Sequence, residues 1–227
     1  MEAQKVETSQ WAHNPVTGEM ARIMTGPADE PRPLIEVELF LQPGAAVAGA
    51  HHHPTLIERF EVVEGEVSFL VGGRERRMRP GDGVSEVPAG TVHDWWNSGS
   101  GIARVEATVE VASGAPPESA ERFIGVIEVL WSLGARGEVG DDGRPDPIWL
   151  AAIGHEYRDV IRFEQPPAAI QAVLFPLFAA VARLRGRRPD DPALHGPAAA
   201  MYIEDPGDEL DSVLGHHVGV GEARGRV

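Results

Sequence analysis

The chain reads as a mainly β protein: a small barrel or sandwich with a helical extension at its C-terminal side. Three observations carry this. Between Leu34 and Val111, short runs rich in β-branched and aromatic residues alternate apolar with polar positions, and turn signals interrupt them every eight to twelve residues. After Gly114-Ala115-Pro116-Pro117 the apolar spacing changes from period two to the helical period. Hydrophobic residues make up 42% of 227 residues, enough for one sizeable core or a barrel with an appended subdomain, and no internal repeat is visible.

Taken in order, residues 1–33 are polar and turn-rich and read as an N-terminal arm. Asn14-Pro15 and Thr17-Gly18 are turn signals, and Pro27, Pro31 and Pro33 keep the approach extended. Residues 34–113 carry the barrel. Its first strand, Leu34 to Leu41, places Ile35, Val37, Leu39 and Leu41 on one face and Glu36, Glu38 and Phe40 on the other, with the two glutamates read as a solvated face. Two strands between Glu58 and Val71 read as a hairpin turning at Glu64-Gly65-Glu66. Arg74 to Arg79 reads as an exposed basic strand, Val84 to Val87 as a short one, and Ile102 to Val111 as a long alternating one. Residues 114–195 form the helical extension. Glu118 to Gly134 carries an apolar stripe of Phe123, Ile124, Ile127, Leu130 and Trp131; Pro145 to Phe163 reads as a second helix, and Pro167 to Gly186 as a third, kinked at Pro176. Residues 196–227, rich in glycine, proline and acidic side chains, read as a loose tail or a strap.

Composition excludes several function classes. A net charge of −15 argues against nucleic acid as a partner, because phosphate binding requires clustered Lys and Arg. With no cysteine there is no disulfide and no thiolate ligand, so any metal ligand must be nitrogen or oxygen. The N-terminus lacks a basic region followed by an apolar one, which points to the cytoplasm. The longest apolar run, Ala168 to Ala182, is shorter than the ~20 residues needed to span a bilayer. It is too apolar for a solitary surface helix, so the extension is expected either to pair two subunits as a homodimer or to lid the barrel.

The chemistry concentrates in His51-His52-His53 and in His93. Side chains alternate across a strand, so His51 and His53 point to one side while His52 points to the other. Glu58, at the start of the next strand, offers a carboxylate to the same pocket. Three neutral imidazoles and one carboxylate suit a single borderline divalent ion: iron, manganese, nickel, copper or zinc. Phe60 and Val62 share the face of Glu58, and Trp95 and Asn97 share that of His93, so these four and the apolar Phe40 are candidate substrate contacts. His155 and His195 have no partner at ligand spacing and read as structural or solvent-facing.

The first motif runs Gly44, six residues, His51, one residue, His53, four residues, Glu58, six residues, Gly65; the second runs Gly81, six residues, Pro88-Ala89-Gly90, two residues, His93, three residues, Asn97. Over residues 34 to 112 this pair resembles the signature of the cupin superfamily, with the gap after each leading glycine one residue longer than usual. The resemblance implies a double-stranded β-helix, or jelly-roll barrel, holding one metal through His51, His53, Glu58 and His93 and leaving positions for water and substrate. It further implies a small-molecule substrate and, with iron preferred, a mononuclear non-haem dioxygenase-like oxidoreductase; in the non-redox alternatives Glu58, if it releases the metal, is the catalytic group that moves a proton. The alternatives are a non-redox isomerase, cyclase or lyase using the ion as a Lewis acid, and a non-catalytic cupin that binds a small ligand.

Overall fold

A computed structural model describes residues 10–25, 34–46, 49–140, 143–196 and 199–207. The strands are β1 (Gln10–Asn14), β2 (Glu19–Thr25), β3 (Leu34–Leu41), β4 (His51–His52), β5 (Leu56–Glu64), β6 (Val67–Val71), β7 (Arg74–Met78), β8 (Val84–Val87), β9 (His93–Asn97), β10 (Ala103–Val111), β11 (Arg162–Phe163) and β12 (Tyr202–Ile203). Helices α1 (Ser119–Ala135), α2 (Pro147–Glu156) and α3 (Ala168–Leu184) follow the barrel strands. The strands form two antiparallel sheets, one ordered β12-β1-β2-β3-β10-β5-β8 and the other β11-β4-β9-β6-β7. The mainly β class with a C-terminal helical part therefore holds.

The facing inner surfaces of the two sheets pack Leu41, Phe60, Val62, Val67, Phe69, Met78, Trp95 and Val105 into one core. A second core lies where Ile35, Leu56, Val109 and Val111 continue the inner face of the large sheet beyond the small one. There Phe123, Val126, Val129 and Leu133 of α1, Trp149 and Ile153 of α2 and Phe175 of α3 cover it. The helices thus complete an apolar face that the small sheet leaves uncovered.

Four local readings are corrected. The turn at Glu64-Gly65-Glu66 is a corner between sheets, not a hairpin: β5 pairs with β10 and β8, whereas β6 pairs with β7 and β9. Gly65 has φ 77°, and a Cβ there would stand 2.8 Å from the Cα of Ala103, so only glycine lets the corner seat against β10. Residues 10–25, inside the stretch read as an arm, are two paired strands that extend the large sheet through β2 and β3. The helix expected to run to Phe163 stops at Glu156; Arg162 and Phe163 instead pair with His52 and His51. Its start is capped by the Asp146 carboxylate, which accepts from the N–H groups of Ile148 and Trp149, with Pro147 in the first turn. Glu38 is not solvated but buried on the outer face of the large sheet, paired with Arg22 at 2.6 Å and with Arg104.

Pro176 lies inside one continuous helix, α3, which packs on α2 through Ala152, Ala179 and Ala182 and leaves Ile170, Val173, Leu177 and Leu184 exposed. Among the described residues no helix is long and apolar enough to cross a membrane. Part of the segment read as tail is a strap: β12 pairs with β1, and Met201 is fully buried. Residues 1–9, 26–33, 197–198 and 208–227, which carry the rest of the arm and tail readings, lie outside the described residues.

Candidate metal centre

Three buried histidines meet between the sheets. His51 and His93 are directly opposed on β4 and β9, so their side chains leave the small sheet on the same side, and alternation returns His53 to that side. Strand β4 is short, and Gly90 N–H donating to the His53 carbonyl at 2.8 Å continues its attachment beyond His52. One nitrogen from each of His51, His53 and His93 can be chosen so that all three lie within 4.8 Å of one another. The carboxylate of Glu58 approaches from the facing sheet, with Oε2 2.8 Å from Nε2 of His93 and 3.6 Å from Nε2 of His53. His52 turns away, as expected, toward Glu164 at 3.4 Å.

The backbone decides how the imidazoles present themselves. Nδ1 of His51 lies 2.8 Å from the Gly49 carbonyl, that of His53 2.6 Å from the Val160 carbonyl and that of His93 3.2 Å from the Thr91 carbonyl. A carbonyl only accepts, so each Nδ1 carries a proton, which leaves the Nε2 lone pair free on the neutral rings of His51 and His53. Nε2 of His53, Nε2 of His93 and Oε2 of Glu58 are buried without a hydrogen-bond partner, although the last two are 2.8 Å apart. Convergent lone pairs on buried, otherwise unsatisfied atoms fit a cation, and the backbone carbonyls are the outer contacts that orient histidine ligands. These residues therefore fit one divalent ion bound through His51, His53 and His93, with Glu58 in reach as a fourth ligand.

The electrostatics agree. Burial, reinforced by the His93 and His53 rings, holds His51 well below its ordinary value, and burial also lowers His53 against the opposing pull of Glu58. Burial would raise Glu58, but the three imidazoles outweigh it and draw the carboxyl down to about 2. His93, which burial alone would lower, is held above its ordinary value by its contact with Glu58. The cluster thus offers an ionised carboxylate and, on His51 and His53, neutral imidazoles.

Against this centre lies a cavity with about 120 Å³ open to the centres of water-sized spheres, when a single water needs only ~10–15 Å³. Phe60 and Trp95 line it, and so do Phe123, Ile124, Ile127, Leu130 and Trp131, which is the whole apolar stripe read from the sequence of α1. Helix α1 therefore closes the cavity over the inner face of β2 and β3. The other three candidate contacts do not reach it. Val62 packs in the core between the sheets. Asn97 is buried as a brace: its Nδ2 donates to the carbonyls of Leu41 and Gly101 at 2.8 and 2.9 Å, and its Oδ1 accepts from Gly99 N–H at 2.9 Å. Phe40 points to the outer face, where it stacks on Trp11 at 5.7 Å. Its position out of phase with Val37, Leu39 and Leu41 already placed it there.

Two features escaped the sequence reading. Glu19 lines the cavity, and its signal was present: it lies in phase with Ala21 and Ile23, a lone carboxylate on an apolar face. The Val160 carbonyl that orients His53 left none, because it belongs to an irregular turn 107 residues away. His195, read as lacking a partner, contacts the buried Glu128 carboxylate through Nδ1 at 3.0 Å.

Comparison with known proteins bears on the barrel alone. The family described as "Cupin domain" matches residues 37–111. No curated protein matches the chain. Among solved structures, the Schizosaccharomyces pombe Cnp3 cupin domain aligns at 22% identity over 41% of this chain and 66% of its own, with a TM-score of 0.36. A structure described as a sugar phosphate isomerase from a cupin superfamily, from Silicibacter pomeroyi, aligns at 25% identity over 44% and 62%, with a TM-score of 0.37. A predicted oxalate decarboxylase from Thermotoga maritima aligns at 21% identity over 49% and 100%, also with a TM-score of 0.37. The chain thus spans slightly less than two thirds of the first two. Residues 37–111 thus match the cupin domain family, and both histidine motifs lie within that segment.

Proposed function

We propose that the protein is a metal-dependent enzyme acting on a small, largely apolar organic molecule, and that its reaction is a dioxygenase-like oxidation at a single non-haem iron(II). The observation that supports this best is the convergence of three buried imidazoles, with the Glu58 carboxylate 2.8 Å from His93, beside an apolar cavity that His51, His53 and Glu58 line. His51, His53 and His93, with Glu58 beside them, would hold the ion, and iron(II) there would supply oxidation by dioxygen. The chain's own residues have three tasks. Phe60 and Trp95 contact the apolar body of the substrate. Helix α1, through Phe123 and its stripe, excludes water from the site. Glu58, ionised and within contact distance of His53 and His93, takes a proton from substrate at its carboxylate oxygen when it is not serving as a ligand.

The test is metal analysis of protein purified without a histidine tag, followed by oxygen consumption with a panel of phenols, enols and alkyl carboxylates. Bound iron with substrate-dependent oxygen uptake supports the reading. Bound zinc or nickel with no uptake across the panel refutes the oxidation and leaves Lewis-acid isomerisation or lyase chemistry with Glu58 as base. Protein that binds no divalent ion at all refutes both.

A further inference from the structure

The cavity has a second polar end. Glu19 faces the inner side of the large sheet with Ala21 and Ile23, and it is 4% exposed. Among the described residues no cationic side chain pairs with it. Its Oε2 accepts from Thr17 Oγ1 at 2.6 Å, and burial pushes its carboxyl up to about 7, against the hydrogen bonds of Thr17 and Asn14. Both contacts come from the turn between β1 and β2, where Asn14 Oδ1 also accepts from Val16 N–H at 3.3 Å, so one side of the carboxyl is held while the residue lines the cavity. A carboxyl placed on an apolar cavity wall without a counter-charge is costly, and such a group is retained where something polar meets it.

The strand register separates the two ends. Glu19 is opposite Leu41, which is opposite Ala103, while Glu58 is opposite Val109 on the same β10. The two glutamates are therefore three strands and six residues apart on one face, which on a flat sheet is ~14 Å across and ~20 Å along. The wall between them is apolar: Ala21, Ile23, Val37, Leu39, Ile127 and Leu130.

We propose that Glu19 is the distal anchor of an elongated ligand: a molecule with a metal-binding head at the histidines, an apolar body along α1, and a hydroxyl or similar hydrogen-bonding group that meets the Glu19 carboxyl. The ligand class is an ω-oxygenated alkyl or isoprenoid-like chain rather than a compact sugar or a single aromatic ring. Only the head-group contact rests on the metal reading; the distal contact stands on the cavity wall.

The test uses straight-chain carboxylates from eight to sixteen carbons, each with and without a terminal hydroxyl, titrated against full-length protein in its metal-free and zinc-loaded forms. Trp95 and Trp131 line the cavity, so their fluorescence reports occupancy. In the wild-type protein the hydroxylated acid binds about tenfold tighter than its parent at one matched length and not at shorter ones. Glu19→Met removes or reverses that preference, while Glu19→Gln, which keeps a donor and an acceptor, retains it. A hydroxyl preference that is absent or independent of length in the wild-type protein overturns the proposal without need of any variant. So does a Glu19→Met protein that keeps the wild-type ratio, or a cavity that binds neither acid at any length. Zinc loading addresses the other reading separately: if it leaves affinity for all acids unchanged, the metal assignment fails while the hydroxyl ratio still judges Glu19.

Discussion

Glu19 also makes a stability prediction whose size follows from its surroundings. Replacing it with glutamine keeps the shape and an acceptor for Thr17 but removes the titration. In the folded protein burial raises this carboxyl from 4.5 to about 7. Between those values the native state binds more protons than the unfolded chain, so the group's contribution is fully present below about pH 4.5 and is lost as pH rises through about 7. At ~1.4 kcal/mol per decade of proton affinity, ionising it in place costs about 3 kcal/mol. The wild-type protein should therefore lose roughly that much stability relative to Glu19→Gln, most of it between pH 5 and pH 8. Urea unfolding of both metal-free proteins at those two pH values measures the difference. In a chain of this length it corresponds to a melting-temperature gap that widens by ~6–12 °C at the alkaline end. A gap that stays the same at both pH values would refute the reasoning, because it would mean that the carboxyl is effectively solvated through the cavity.

Asn97→Ala should cost about 2 kcal/mol in urea unfolding, since it leaves the buried Leu41 carbonyl and the partly buried Gly99 N–H and Gly101 carbonyl without their partner, yet leave metal content unchanged; lost metal with normal stability would return Asn97 to the site. Gly65→Ala should destabilise by about 2 kcal/mol or more, from the positive φ together with the 2.8 Å approach to β10, and a neutral result would show that the corner can shift. Glu128→Ala should free the strap held by His195, Gly196 and Tyr202, seen as faster hydrogen exchange over residues 195–203, with unchanged exchange counting against the clamp. At a free-ion concentration a hundredfold above Kd, the wild-type protein should gain about 2.7 kcal/mol of stability and His93→Ala almost none; equal gains would place the ion elsewhere.

The histidine motifs were legible because their geometry is local. The spacing of His51 and His53 places both on one face, and the register of β4 against β9 then needs only one more strand to bring in His93. The α1 stripe was legible for the same reason, its helical period naming the five residues that cover the cavity. Phe40 and Val62 were proposed for the pocket on apolar character alone and lie outside this cavity, and the phase of β3 separated Phe40 from Val37 and Leu39. Asn97 meets three backbone groups, and a buried amide on the ligand face looks the same in sequence whether it meets those or a substrate.

By itself, the amino-acid order determined the β class, the change to helices after residue 114, and the identity of the three imidazoles and the carboxylate, all of which depend on periodicity and short-range spacing. Tertiary structure alone decided that Gly65 turns a corner rather than a hairpin, that β1 and β2 widen the large sheet, that the Val160 carbonyl orients His53, and that Glu19 and Glu58 stand at opposite ends of one apolar cavity. The physical reason is that a strand's choice of partner and a side chain's neighbour across a core depend on contacts between distant segments, and local propensity carries no information about which distant segment will arrive.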